Sequence, residues 1–302
     1  MSSPSSLPQR VTPPAPSPRG RLIEIAPGRR LHLIAEGPSG SGRPTVLLEA
    51  GAFGFSADWA AVQEGLARAG VRSLAYDRSG LGFSDPGPRP RDSHAIISDL
   101  EQLLGAAAEP GPYILCGHSM AGLHLRVFAA RNLASIRGVV LVDASTPEAM
   151  DAAATRHGVA SFAFFARLAA MGASFGLIRP FGPPLGDSIG LPPAAKAEKR
   201  WAFADPGHNR WAALEVAAWP ADAAAGVAAG PYPSAWPAAV VLTARSRAAS
   251  ARHASQSAPA RASRSGFVVH VAGANHATLL GETFGGRIVE AVLEVEAAAA
   301  KA

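Results

Sequence analysis

Two hydrophobic rhythms alternate along this chain. Short continuous apolar runs are separated by longer stretches in which apolar positions recur every three or four residues, the first typical of buried strands and the second of amphipathic helices. Arg21 to Ile25 and Arg30 to Ile34 alternate polar and apolar positions around the Pro27-Gly28 turn, which predicts an amino-terminal β-hairpin. Thr45 to Glu49 is too apolar to have a wet face and reads as a central, parallel strand. Ser56 to Gly70 places Trp59, Val62, Leu66 and Ala69 on one helical face, with Ser56 as its cap. Val71 to Tyr76 predicts another strand, and Ser93 to Ala108 a helix burying Ile96, Ile97, Leu100, Leu103 and Leu104. A strand from Tyr113, a helix from Ser119 to Asn132 and a strand from Ile136 to Asp143 follow.

From about Pro147 to Ala235 the texture changes. Phe162, Phe164, Phe165, Leu168, Met171, Phe175 and Leu177 fall at helical spacing without clear strands, which predicts a helical insertion lying over the strand ends, its stripe serving packing first and a ligand pocket as well. Strand pattern resumes at Pro237 to Thr243 and again at Gly266 to Val271, before a last helix from about Gly285 to Ala299. The Ala/Arg/Ser-rich stretch between those strands, Ala244 to Ser265, is poorly patterned and reads as a loop with at most a weak helix. Strands alternating with helices predict right-handed crossover units, a mostly parallel sheet with helices on both faces, and functional groups at the carboxyl ends of the strands.

The chemistry concentrates in loops at those ends. Gly117-His118-Ser119-Met120-Ala121-Gly122 joins an apolar strand to a helix through a tight turn of small residues, the layout of a nucleophile elbow, and makes Ser119 the candidate nucleophile. The same residues also fit a serine at an ordinary strand-to-helix turn. Ala50 to Gly54 is a glycine-punctuated loop able to leave backbone N–H groups pointing into a cleft, as an oxyanion would require. Asp77-Arg78-Ser79-Gly80 ends one strand, Asp143 ends another, and Asn275-His276 lies in the loop after the last.

Composition narrows the picture. A 48% hydrophobic fraction over 302 residues supports a large globular core. The single cysteine, Cys116, excludes an internal disulfide and reads as a buried small hydrophobe rather than a reactive thiol. Met1 to Arg19 is Pro/Ser-rich and lacks a signal-peptide core, and no later stretch has the roughly 18 apolar residues of a bilayer span. A disordered tail over residues 1–20 and a soluble cytoplasmic location are therefore expected. The net charge of +5 comes from dispersed arginines without aromatic-basic interleaving, so nucleic acid is not an expected partner. No His/Cys/carboxylate cluster has ligand spacing, so no metal or cofactor is expected either.

Taken in order, Leu48-Glu49-Ala50-Gly51, Tyr76 to Gly80, the GHSMAG elbow, Leu141 to Ala144 and Gly273 to His276 resemble the α/β-hydrolase superfamily, of the serine hydrolase and esterase type with a helical cap. The resemblance runs from Arg21 to Glu296. It implies an eight-stranded, mostly parallel α/β sheet, with the hydrolase core over residues 21–146 and 236–302 and the cap over 147–235. It also implies a Ser119 nucleophile and a His276 base, with a carboxylate to orient the imidazole. The commonest position for that acid, after the seventh strand, is empty, since no aspartate or glutamate lies between Asp222 and Glu282. Asp143, after the sixth strand, is the better candidate, and Asp77, on the far side of the elbow, the poorer one. Met120 N–H is the implied first oxyanion donor, while the second stays open between Ala52 and Phe53 because Glu49-Ala50-Gly51 replaces the usual His-Gly form. Glu49 and Arg78 are expected to pair beneath this loop.

The implied activity is hydrolysis of a small or medium apolar ester through a Ser119 acyl-enzyme. Alternatives are lactone opening, an aminopeptidase anchoring its substrate amine on Glu215 or Asp205, and a non-catalytic small-molecule receptor with a weak triad. Oligomeric state is not legible.

Overall fold

The computed structural model describes residues 15–151, 153–175, 177, 187–244 and 250–301. The tail reading for residues 1–14 lies outside them. Arg19 is anchored rather than loose, its backbone and guanidinium both donating to Glu198 at 3.0 Å.

The strands are β1 (Arg21–Ala26), β2 (Arg29–Glu36), β3 (Thr45–Glu49), β4 (Ser73–Tyr76), β5 (Tyr113–His118), β6 (Ile136–Val142), β7 (Ala238–Thr243) and β8 (Phe267–Val271). They form one sheet in the order β1-β2-β4-β3-β5-β6-β7-β8. The β1/β2 hairpin is antiparallel and meets β4 antiparallel, while every pairing from β4 to β8 is parallel. Both faces are covered: Val46, Leu48, Val140 and Val142 point into one core, and Leu47, Val139 and Leu141 into the other. Covering both faces is why these strands read as unbroken apolar runs. Cys116 is fully buried in the first of these cores, where burial pushes its thiol pKa up, so it behaves as a small hydrophobe.

The helices are α1 (Ala60–Arg68), α2 (Ser93–Ala106), α3 (Ala121–Arg131), α4 (Ala153–Ser174), α5 (Pro193–Ala204), α6 (Pro206–Ala228), α7 (Ser250–Gln256), α8 (Ala258–Ala262) and α9 (Gly286–Ala299). The first predicted helix divides into a 3₁₀ turn, Ser56–Trp59, and α1. Ser56 does not cap it; its backbone N–H instead donates to Asp77 Oδ1 at 2.9 Å. Asp92 caps α2, accepting from Ala95 N–H at 2.9 Å.

Two readings of the sequence need correction. The stretch after β7 is not a plain loop: beyond residues 245–249, which lie outside the described set, it forms α7 and α8. The aromatic stripe of α4 is not a packing face along its length, because Phe164, Phe165, Leu168 and Met171 are 45–64% exposed. The helices inserted between β6 and β7 bury mainly alanines and Val216 against one another. Among the described residues, no helix is long and apolar enough to cross a membrane.

Candidate active site

The elbow is built as its residue sizes require. Ser119 follows β5 with φ +57°, a left-handed conformation that strains a residue with a Cβ. Its N–H donates to Val142 O, and its carbonyl accepts from Gly122 and Ser145 N–H, so the strand, the turn and the next loop interlock. A Cβ at Gly117 would sit 2.5 Å from Leu125 Cδ1 and 3.1 Å from the Ala121 methyl, and one at Gly122 would sit 2.2 Å from Ser145 O. A methyl therefore fits at position 121 only because position 117 has none. Gly51 is demanded from the facing loop, where a Cβ would lie 2.8 Å from Ser119 Cβ.

Asp143, one residue past β6, also has positive φ, +41°. Its Oδ2 lies 2.6 Å from His276 Nδ1, and its Oδ1 accepts from Gln256 Nε2 at 2.9 Å. Burial works to raise the Asp143 pKa. The hydrogen bond and charge of His276, with the bond from Gln256, outweigh it and hold the carboxyl down at about 2. A carboxylate on Nδ1 selects the tautomer with Nδ1–H, leaving the Nε2 lone pair free to take a proton. Asp77 is engaged elsewhere, with His32 Nδ1 at 3.0 Å and the N–H groups of Ser56 and Phe83 at 2.9 Å. Because β3 separates β4 from the elbow strand, that position does not reach the His276 loop.

Ser119, Asp143 and His276 line one cavity of about 640 Å³. Among the described residues no hydrogen bond joins Ser119 Oγ to His276; the imidazole side chain is 46% exposed, and its other ring nitrogen is unpaired. Hydrogen bonds of this kind are often long without a substrate and tighten when one binds. Val159 and Phe162 of α4, Phe203 of α5 and Trp219 of α6 make much of the apolar wall, with Ile189 and Leu280.

The oxyanion candidates divide. Gly51 to Gly54 form a turn closed by Gly54 N–H to Gly51 O at 3.0 Å, with Phe53 at φ +58°. Ala52 and Phe53 both pack against the cluster of Ala166, Ala170, Ala213 and Val216, but of the two only Ala52 is in the cavity wall. Met120 is fully buried at the amino end of α3. Among the described residues, none of the three N–H groups has a protein acceptor.

The expected Glu49–Arg78 pair is present, with Nη1 to Oε1 at 2.6 Å. Arg78 also holds Glu215 of α6 at 2.8 Å, Ala50 O at 2.7 Å and Gly51 O at 2.9 Å, and Tyr76 OH donates to Glu49 Oε2 at 2.5 Å. Glu215 is thereby consumed, and Asp205 accepts from His208 N–H at the start of α6. Neither carboxylate proposed as an amine anchor is in the cavity wall.

Sequence reasoning missed four participants. His118, the residue before the elbow serine, donates from Nε2 to His276 O at 2.9 Å, and the two rings lie 4.4 Å apart. Burial, helped by the charge of His276, lowers the His118 pKa to about 3, so the ring stays neutral and tethers the histidine loop. Its place inside the elbow motif was the one available signal. Gln256 sits in the stretch read as unpatterned. Lys199 and Asp58 form an ion pair of 2.7 Å in the cavity wall, and neither carried a motif. Among the described residues no group of three or more His, Cys, Asp or Glu could hold a metal ion.

Comparison with known proteins bears on the fold. A family model for the alpha/beta hydrolase fold matches residues 44–172. A protein of Variovorax paradoxus whose name assigns it, provisionally, to carbamate hydrolysis (RutD) is 35% identical over 127 residues, 40% of this chain and 46% of that protein. The chain spans less than half the length of the curated relatives it matches. An enol-lactonase from Burkholderia xenovorans superposes with TM-score 0.63 at 20% identity, covering 90% of this chain and 99% of that one. An esterase from Thermogutta terrifontis gives 0.64 at 21%, covering 92% and 97%, and a haloalkane dehalogenase variant from Bradyrhizobium elkanii gives 0.66 at 18%, covering 92% and 98%. At these identities the solved structures speak to fold alone.

Proposed function

From a chain that belongs to the α/β-hydrolase superfamily, we propose a serine hydrolase that cleaves a carboxylic ester of a small or medium apolar substrate through a Ser119 acyl-enzyme. The observation that carries the reading is the 2.6 Å contact between His276 and Asp143, in a cavity that Ser119 also lines. The helices between β6 and β7 act as a cap, and their aromatic and aliphatic side chains give the cavity its apolar wall.

In this mechanism Ser119 Oγ bonds to the ester carbonyl carbon as its proton passes to His276 Nε2. Asp143 keeps the imidazole in the accepting tautomer and stabilises the imidazolium. The N–H groups of Met120 and Ala52 receive the developing oxyanion, each donor contributing roughly 2.7–4 kcal/mol at the transition state. The tetrahedral intermediate then expels the alkoxide, which takes the proton back from His276. Water repeats the second half: its proton goes to His276, its oxygen to the acyl carbon, and Ser119 leaves reprotonated. Dehalogenase chemistry does not suit this site, because it needs a carboxylate nucleophile where this elbow carries serine.

A screen of p-nitrophenyl esters of increasing acyl length, with Ser119→Ala as control, tests the reading. Turnover that disappears in Ser119→Ala is expected, together with stoichiometric labelling of Ser119 by a fluorophosphonate. A folded protein that neither labels nor turns over would instead favour a receptor built on this fold.

A further inference from the structure

We propose that Lys199, carried by α5, is a positioning residue that holds the oxyanion turn in its working shape; the role rests on the acyl-transfer reading above. The Gly51–Gly54 turn places a bulky residue, Phe53, at φ +58°, a conformation that L side chains disfavour and that persists only where the surroundings enforce it. In a trans peptide the C=O and the following N–H point in opposite directions, so whatever grips a carbonyl oxygen also aims the next N–H.

Two buried cations grip this turn. Arg78 binds Gly51 O at 2.9 Å and so aims the N–H of Ala52, the candidate oxyanion donor. Lys199 Nζ binds Phe53 O at 2.9 Å and so aims the N–H of Gly54 back onto Gly51 O, where it closes the turn. The ammonium also donates to Asp58 Oδ2 at 2.9 Å and lies 2.7 Å from Oδ1 of the same carboxylate, its ion-pair partner. Among the described residues, every polar partner of Lys199 thus lies between residues 53 and 58.

Nor can the ammonium readily leave. The Phe55 ring lies 5.0 Å and the Phe203 ring 4.8 Å from Nζ, and the Lys199 side chain is 3% exposed. Asp58 packs against the turn as well, since a Cβ at Gly54 would lie 2.8 Å from its Oδ2. Lys199 and Asp58 share the cavity wall with Gly51 and Ala52. The segment between β6 and β7 therefore does more than roof the cavity: it supplies the pin that completes the oxyanion turn.

Lys199→Met alone would strand a buried carboxylate, so the test is the pair Lys199→Met/Asp58→Asn, with Lys199→Arg as the conservative variant. Thermal melting reports folding. With a p-nitrophenyl ester, the pair should lower kcat by about 10- to 100-fold, somewhat less than outright loss of a donor, with KM within about threefold. Affinity for a trifluoromethyl ketone, whose adduct carries the oxyanion, should fall by the same factor as kcat, and Lys199→Arg should recover much of both. A folded pair with unchanged kcat and ketone affinity, or one that changes KM alone, overturns the clamp. If Ser119→Ala is inactive while the Lys199 variants match wild type, the clamp alone fails; if Ser119→Ala keeps full turnover, the acyl-transfer reading fails and the clamp with it.

Discussion

Arg78→Met probes the most heavily connected polar side chain beneath the site. The guanidinium is 1% exposed and binds two carboxylates that are themselves at most 1% exposed, Glu49 and Glu215, together with two loop carbonyls. Methionine roughly fills the space of the lost side chain, so the change removes charge and hydrogen bonds more than packing. Breaking one buried ion pair by removing a partner costs about 3–5 kcal/mol, and here two carboxylates lose the same cation. Taking the lower figure as a floor, and about 2–3 °C per kcal/mol for a chain of this size, the melting temperature should fall by roughly 6–15 °C.

The loss should also depend on pH. Burial already pushes the Glu49 pKa up, and without Arg78 only the Tyr76 hydroxyl opposes that push. A folded-state pKa above the unfolded value near 4.3 contributes stability at low pH and loses it as pH rises through the folded value. Arg78→Met should therefore be closer to wild type at pH 5 than at pH 8, and Arg78→Met/Glu49→Gln/Glu215→Gln should recover most of the deficit at pH 8. Differential scanning fluorimetry at the two pH values measures this. A melting temperature within about 2 °C of wild type at both would refute the account of Arg78 as a buried double latch.

Other outcomes follow from the same geometry. Asp143→Asn should lower turnover on the order of 10⁴-fold with the melting temperature little changed, since the tautomer of His276 is lost rather than the fold, and a kinetic deficit below about tenfold would move the orienting role to another group. Asp222 of α6 is fully buried, accepts from Ser93 N–H at 2.6 Å, and is pushed up to about 7 by burial. Because its folded pKa lies above its unfolded value near 3.9, wild type loses stability as pH climbs from about 4 to 7, by about 1.4 kcal/mol for each unit of displacement. Asp222→Asn should thus gain on wild type more at pH 8.5 than at pH 5, and urea melts showing a difference flat with pH would contradict the assignment.

What could be read directly from the chain was local. The continuous apolar runs of β3, β5, β6 and β7 announce strands covered on both faces, because a strand with a wet face would alternate. The small residues around Ser119 announce the elbow because the steric demand arises within a few residues of the serine. The strand order implied by the resemblance to the α/β-hydrolase superfamily, and not sequence spacing, placed Asp143 on the side of His276 and Asp77 on the other.

The three-dimensional packing decided the rest. Periodicity tells which residues share a face, not whether anything covers it, so the α4 stripe looked like core while Phe164, Phe165, Leu168 and Met171 face outward. Gln256 meets Asp143 across 113 positions, Lys199 meets Phe53 across 146, and Glu215 meets Arg78 across 137. No period in the chain marks such pairs, because each exists only when the sheet closes and the inserted helices settle against its edge. The sequence by itself determined the serine, the imidazole and the carboxylate to test. The tertiary structure alone decided that Lys199 grips the turn beside them and that Arg78, expected beneath the loop, also reaches its carbonyls, since a clamped carbonyl depends on distance in space.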